Sequence, residues 1–124
     1  MASLSPFGAT SILNGTAPPA TLYAQLHIGD PTPAGTSAVG AGAGTRKVVT
    51  RTASVAGGPS TNDVVVAWVP YTVTEVITHV SFWSAVSGGN CWFVEELPSS
   101  VPVTAGEAAF WDVGDISFEM EQYA

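Results

Sequence analysis

The stretch EVITHVSFWSAVSGGNCWFVEE, residues 75–96, decides the fold. Residues 75–84 alternate with a period of two, which is typical of a β-strand. The two predicted faces consist of alternating residues, Val76, Thr78, Val80 and Phe82 on one and Ile77, His79, Ser81 and Trp83 on the other. Both faces are largely apolar, so we expect a central strand. Residues 87–90, SGGN, predict a tight turn, after which residues 91–96 return antiparallel.

Six further segments have the length and pattern of short strands. They are residues 21–28, 46–53, 64–69, 101–103, 108–113 and 116–123. Turn residues separate them at intervals of roughly 8–12 residues, and no helical period is long enough to connect parallel strands. The sequence therefore predicts an all-β protein, an antiparallel β-sandwich of jelly-roll or Ig-like type with about seven or eight short strands.

The domain organisation follows from where this pattern begins. Residues 1–20 precede the first strand and are predicted to form a short helix, capped by Ser3 or Ser5, or else an extended arm. Residues 21–124 are predicted to form a single β-sandwich domain. Within it, residues 31–44 are rich in glycine, proline and alanine and predict a long flexible loop.

Charge is sparse and unevenly placed. Charged residues make up 10% of the chain, against about 25% in an average soluble domain, which favours a subunit of an assembly over a simple β domain with a Ser/Thr/Gly surface. The net charge of −7 argues against nucleic-acid binding. Arg46, Lys47 and Arg51 are the three cations, and nine of the ten acids follow them. The basic strand could pair with acidic edges of a neighbour or of the chain's own C-terminal half.

The sequence also bears on targeting, membrane insertion and disulfide formation. The N-terminus lacks a basic region followed by an apolar run, so no signal peptide is expected. No segment approaches the roughly 20 apolar residues of a membrane helix. Cys91 is the only cysteine, which excludes an intramolecular disulfide. We expect a soluble protein that is made in a cytoplasm and does not contact membranes.

No catalytic, metal-binding or cofactor-binding residues are predicted. His27, His79 and Cys91 lack the spacing of metal ligands. Cys91 has no lysine or arginine in its half of the sequence to lower its pKa, so a small buried side chain is expected rather than a nucleophile. The run at residues 40–44 lacks the ending of a phosphate loop. We therefore expect that the protein is not an enzyme and needs no cofactor.

The four tryptophans all lie in the second half of the chain. If several shared an exposed face, sugar rings could stack on them. The favoured interpretation is that they form the core and a subunit interface, where tryptophan is enriched. The predicted interface candidates are Phe7, Ile12, Leu13, Arg46, Lys47, Arg51, Trp68, Trp92 and Trp111.

Two short segments carry a resemblance to a known family. A strand ends in Leu26-His27 with Asp30-Pro31 before the glycine-rich loop, and a later strand contains Ile77-Thr78-His79 and Phe82-Trp83 before Gly88-Gly89-Asn90. In this order the chain resembles a family of small virion structural proteins of tailed bacteriophages. The resemblance spans most of the chain, from about residue 11 to residue 118.

The resemblance implies a β-sandwich without enzyme activity, present in several copies on the capsid or tail surface of a virion that is assembled in the host cytoplasm. Its partners would be the major capsid protein or tail proteins, and further copies of itself. The leading expectation is a capsid decoration protein on the outer particle surface. The alternatives are a minor tail or fibre protein of the virion and a carbohydrate-binding adhesion module that contacts glycans of the host surface.

Overall fold

The computed structural model describes residues 3–16, 18–32, 34–42, 44–52 and 60–118. The described part contains one helix, α1 (Pro6–Leu13), and nine strands: β1 (Ser3–Leu4), β2 (Thr21–His27), β3 (Lys47–Thr50), β4 (Ser60–Thr61), β5 (Val66–Trp68), β6 (Glu75–Trp83), β7 (Cys91–Val103), β8 (Ala109–Trp111) and β9 (Ser117–Phe118). All pairings are antiparallel. The all-β class with a short N-terminal helix is confirmed, and the jelly-roll or Ig-like type stays a prediction.

The principal sheet has five strands in the order β1-β7-β6-β2-β3. The predicted central strand, β6, has β7 on one side and β2 on the other. Gly88 and Gly89 have φ angles of 64° and 71°, as the predicted turn between β6 and β7 requires. Phe82 lies opposite Phe93 in this hairpin.

Two details of the hairpin differ from the prediction. Residues 91–96 and 101–103 belong to one strand, because residues 97–100 form an irregularity that accommodates Pro98 without ending the pairing. The same irregularity shifts the register between Ile77 and His79. Ile77 is consequently buried in the core while Val76 is exposed, so the predicted faces of β6 exchange at this point.

One face of the principal sheet forms the hydrophobic core. Its side chains are fully or almost fully buried, and they include Leu22, Ala24, Leu26, Val49, Val80, Phe82 and Phe93. Phe118 of β9 packs edge-to-face on Phe82, with the ring centroids 4.8 Å apart. Each such aliphatic or aromatic side chain stabilises the fold by about 1.5–3 kcal/mol on burial.

Two small ladders cover this core. β5 pairs with β8, and β4 pairs with β9. Asn62 is fully buried between them. Its amide donates to the Asp112 carbonyl at 2.9 Å, and its side-chain oxygen accepts from the Ile116 amide at 2.9 Å. The strand predicted at 116–123 is observed over Ser117–Phe118. Residues 119–123, like Ala53 of the predicted 46–53 strand, lie outside the described residues.

The described residues of the predicted loop up to residue 42 cover part of the opposite face of the sheet, over the end of β2. The described part of this segment bonds to the end of β2: Gly40 donates its amide to the Leu26 carbonyl at 2.9 Å, and His27 bridges Val39. The second face of β2 is therefore buried too, with Gln25 at 8% exposure, although its alternation predicted a half-buried strand.

Helix α1 packs on β7 beside that segment. Ser5 caps it, as predicted, and accepts the Gly8 amide at 3.0 Å. Gly15 ends it with a φ of 88°. A Cβ on Gly8 would lie 2.6 Å from the Trp92 carbonyl oxygen, which shows how closely the helix approaches the strand. Of the two conformations predicted for the N-terminal segment, a short helix or an extended arm, Pro6–Leu13 adopts the helix.

Candidate functional site

Two of the three predicted interface cations, Arg46 and Arg51, bind groups of the same chain. The Arg46 guanidinium lies 4.0 Å from the centroid of the Trp83 ring and donates to the carbonyls of Ala85 and Gly88 at 3.0 and 2.7 Å. Arg51 donates to the carbonyls of two prolines that precede β2, Pro18 and Pro19, at 2.7 and 3.0 Å. Among the described residues these guanidinium groups thus bind backbone carbonyls rather than carboxylates of the C-terminal half, and pairing of the basic strand with acidic edges of a neighbour stays a prediction.

Lys47 differs from the two arginines. It starts β3 opposite Ala24 and is half-buried. Its ammonium group makes no hydrogen bond or ion pair to another described residue. Of the three predicted interface cations, Lys47 is the one whose charge the described part of the chain does not engage.

The predicted interface tryptophans lie mainly inside the chain. Trp68 and Trp92 are 1% and 4% exposed, so their rings belong to the core. Trp111 is half-buried and packs edge-to-face on Trp68, with the ring centroids 5.8 Å apart. Trp83 is 8% exposed. The described residues therefore present no platform of several exposed tryptophans on which sugars could stack.

The three candidates on α1 differ in exposure. Ile12 packs partly buried against the core. Phe7 is 42% exposed and meets Trp92 edge-to-face, with the ring centroids 5.3 Å apart. Leu13, at the last turn, is 88% exposed. The helix thus presents one strongly exposed apolar side chain, Leu13, and one partly exposed aromatic ring, Phe7.

A further exposed apolar face was not predicted. On the β5–β8 ladder, Ala67 lies opposite Phe110, and Phe110 is 57% exposed. Val65 and Val69, two residues before and after Ala67, are 55% and 67% exposed. The alternation at 64–69 could have revealed this face, because Val66 and Trp68 point to the core and leave their neighbours outside.

A polar network lies buried beneath residues 31–42. His27 donates through Nδ1 to the Ser37 carbonyl at 2.8 Å, and its Nε2 accepts from the Ser81 hydroxyl at 2.7 Å. Ser81 in turn accepts the Trp83 indole N–H at 2.8 Å. Burial lowers the pKa of His27, and its hydrogen bond to Ser37 opposes that shift. The imidazole is therefore held neutral, with its proton on Nδ1.

Cys91 lies beside this network and is a buried, unreactive thiol. Its side chain is 5% exposed and contacts the Phe93 carbonyl. Burial raises the pKa of the thiol to about 11, so at neutral pH the group is a thiol rather than a thiolate. The structure places it under Gly35, whose Cβ position would lie 2.7 Å from Sγ.

An open groove of about 550 Å³ lies between the first turn of α1 and residues 31–36. Phe7 and Pro6 form one wall, and Thr32, Ala34 and Thr36 form the other. The floor comes from the ends of the central hairpin, through Trp83, Gly89, Asn90 and Cys91. Sequence reasoning missed this groove, because its walls and floor are far apart in the chain.

A smaller apolar cavity of about 200 Å³ lies at the other end of the core. It is lined mainly by β7 and β8, including Leu97, Val101 and Phe110. In the described ranges, no three His, Cys, Asp or Glu side chains lie close enough together to hold a metal ion. No helix in the part of the chain that the structure covers is long and apolar enough to cross a membrane.

Comparison with known proteins gives one family match. Residues 9–119 match the model of a family described as podophage GP4 fiber I protein gp80. The match runs from α1 through β9 and so includes both layers that cover the principal sheet. No curated protein matches the chain.

Proposed function

Because the chain belongs to the podophage GP4 fiber I protein gp80 family, we propose that it is a structural subunit of a fibre on the tail of a phage particle. Membership of a phage fibre family makes the chain a virion structural component. The observation that carries the proposal is the match over residues 9–119, which extends over almost all of the described fold.

Tail placement takes precedence over the capsid surface that was expected first. The family description names a fibre, and neither the fold nor the exposed surfaces of the chain favour the capsid. Decoration of the capsid is therefore the alternative placement, and the number of copies per particle separates the two.

We also propose that the protein has no enzymatic activity. Two of the side chains best suited to catalysis, those of His27 and Cys91, are occupied structurally. His27 is fully buried, with both ring nitrogens hydrogen-bonded, and Cys91 is a buried thiol with a raised pKa. Neither can act on a substrate without breaking the packing that holds residues 31–42.

As a fibre subunit the chain would contact other virion proteins or further copies of itself. Exposed apolar side chains support this proposal, most strongly Leu13 on α1 and Val69 with Phe110 on the β5–β8 ladder. Removing such side chains from water is the general driving force of protein association. Which of these surfaces faces which neighbour is a question for cross-linking in intact particles.

The copy number per particle tests the proposal. Purified particles are digested, and peptides of this chain are quantified by mass spectrometry against peptides of the major capsid protein. A small number of copies per particle is expected for a tail fibre. One copy per few capsid subunits would favour capsid decoration, and complete absence from particles would refute the virion assignment.

A further inference from the structure

The groove between α1 and residues 31–36 has the size of a ligand site. Its volume of about 550 Å³ falls within the range of roughly 300–1,000 Å³ that small-molecule sites occupy. Ten described residues line it, and none of these ten is Asp, Glu, Lys, Arg or His. In a chain of net charge −7, a neutral lining disfavours ions and leaves uncharged ligands.

The groove also contains hydrogen-bonding groups that the fold does not use. Thr32, Thr36 and Asn90 are exposed residues of its lining. Their side chains make no hydrogen bond to another described residue. Two hydroxyls and one amide supply both donors and acceptors, and they stand opposite the half-exposed ring of Phe7, with the edge of Trp83 in the floor.

The wall that carries two of these groups is held in a defined conformation. Thr32 has a φ of 67°, which is an outlier for a β-branched residue, and its amide donates to Asp30 Oδ1 at 2.8 Å. Gly35 donates to the Thr32 carbonyl at 2.9 Å, and Ser37 anchors the segment to His27. Strained backbone that the surroundings fix in this way concentrates at ligand sites.

We infer that this groove binds a neutral sugar residue. A hexose ring has an apolar C–H face that suits the exposed ring of Phe7, and hydroxyls that suit Thr32, Thr36 and Asn90, while the edge of Trp83 closes the floor beneath it. A peptide of a neighbouring protein is the competing occupant, but the free hydroxyls and amide favour a polyhydroxylated ring. The inference does not rest on tail placement, because every group of the groove belongs to one chain.

Nuclear magnetic resonance of the isolated, ¹⁵N-labelled protein tests the inference. The chain has four tryptophans, so the indole N–H signals can be assigned individually. Glucose, galactose, mannose and N-acetylglucosamine are each titrated to about 50 mM, because a single sugar in an open groove binds with Kd of about millimolar order. At least one sugar should shift the Trp83 indole signal while Trp68 and Trp111, remote from the groove, stay unchanged.

Two variants and one control make the test specific. Thr36→Val removes a groove hydroxyl while keeping the shape, and Asn90→Asp introduces a charge; each should weaken binding about tenfold. Thr104→Val removes an exposed hydroxyl from a distant turn and should leave binding unchanged. If no sugar shifts Trp83, or if the groove variants bind as the wild type does, the inference is wrong. Neither failure would affect the family membership or the copy-number test.

Discussion

The guanidinium of Arg46 lies 4.0 Å from the centroid of the Trp83 ring, and this contact joins the start of β3 to the end of β6. The same guanidinium donates to two carbonyls of the central turn, those of Ala85 and Gly88. Arg46 thus fixes the turn that connects β6 to β7 and helps to bury Trp83, which forms part of the groove floor.

Replacing Arg46 should destabilise the protein more than replacing its neighbour. Arg46→Ala removes a cation–π contact and two charge-assisted hydrogen bonds, so we expect the free energy of unfolding to fall by about 2 kcal/mol. Lys47→Ala should change it by less than about 0.5 kcal/mol, because that ammonium group has no described partner. Urea unfolding measures both, and equal losses would contradict the assigned role of Arg46.

The approach of residues 31–36 to the sheet should be sensitive to one added methyl group. Gly35 and Gly114 both have positive φ, at 74° and 86°, but a Cβ at Gly35 would lie 2.7 Å from Cys91 Sγ while one at Gly114 meets nothing within 4 Å. Gly114→Ala should cost about 1–2 kcal/mol from the backbone alone. Gly35→Ala should cost at least about 1 kcal/mol more.

A double-mutant cycle identifies the source of that extra cost. In the Cys91→Ala background the sulfur is absent and Trp83 Cζ2, at 3.2 Å, becomes the nearest atom to the added Cβ, so the extra cost of Gly35→Ala over Gly114→Ala should shrink. An extra cost that stayed undiminished in this background would show that Gly35 does not press on the sulfur of Cys91. Thermal or urea unfolding of the wild type and of the four variants supplies the comparison.

In helix α1, one glycine-to-alanine substitution should lower the stability of the protein instead of raising it. Glycine to alanine inside a helix normally stabilises by about 0.5–1 kcal/mol. Gly8→Ala should instead destabilise by about 1–3 kcal/mol, because its Cβ would meet the Trp92 carbonyl at 2.6 Å and the backbone of β7 cannot yield. Thr10→Ala, on the exposed side of the same helix, should be neutral or slightly stabilising. Stabilisation by Gly8→Ala would mean that α1 does not pack on β7.

His27 should make stability depend on pH in a defined direction. An unfolded histidine titrates near pH of about 6.5, and burial lowers the pKa of His27 in the folded chain. Between those two values the unfolded state binds more protons, so the contribution of His27 to stability is lost as the pH falls through this window and is constant below it. His79 lies opposite His27 on β6, and Arg46 adds a like charge that acts in the same direction.

Comparing the pH dependence of the free energy of unfolding between variants separates the contribution of His27 from that of the acidic groups. His27→Gln should flatten the dependence of the free energy of unfolding on pH as the pH falls below about 6.5. His79→Gln is the matched control and should leave more of the slope in place. A nuclear magnetic resonance titration of the His27 ring supports the comparison, and a His27 pKa above its ordinary value would refute the assigned network.

Much of the local structure could be predicted from the sequence. The alternation of residues 75–84 and the glycines of the turn located the central hairpin, because period and positive φ are local properties. Ser5 was a predicted cap for the same reason. The exchange of Ile77 and Val76 between faces was not predicted, since it depends on an irregularity in the partner strand, where residues 97–100 bulge.

The site was largely hidden from the sequence. Small residues at 31–44 indicated a loop. The position of this loop on the sheet depends on long-range hydrogen bonds, such as those from His27 to Ser37 and Ser81, which the sequence does not reveal. The tryptophans were expected in the core and at an interface, and Trp68 and Trp92 are core side chains, but the sequence could not tell which tryptophan lies where. The groove brings together Phe7, residues 32–36 and Asn90 only after the chain has folded.

The position of the chain in the particle tests the central claim most directly. A short peptide tag inserted in the exposed turn at residues 104–106 can be labelled with gold on purified particles and located by electron microscopy, with untagged particles as the control. The account predicts gold on fibres at the tail. Gold distributed evenly over the capsid would contradict it and would establish the protein as a decoration of the head.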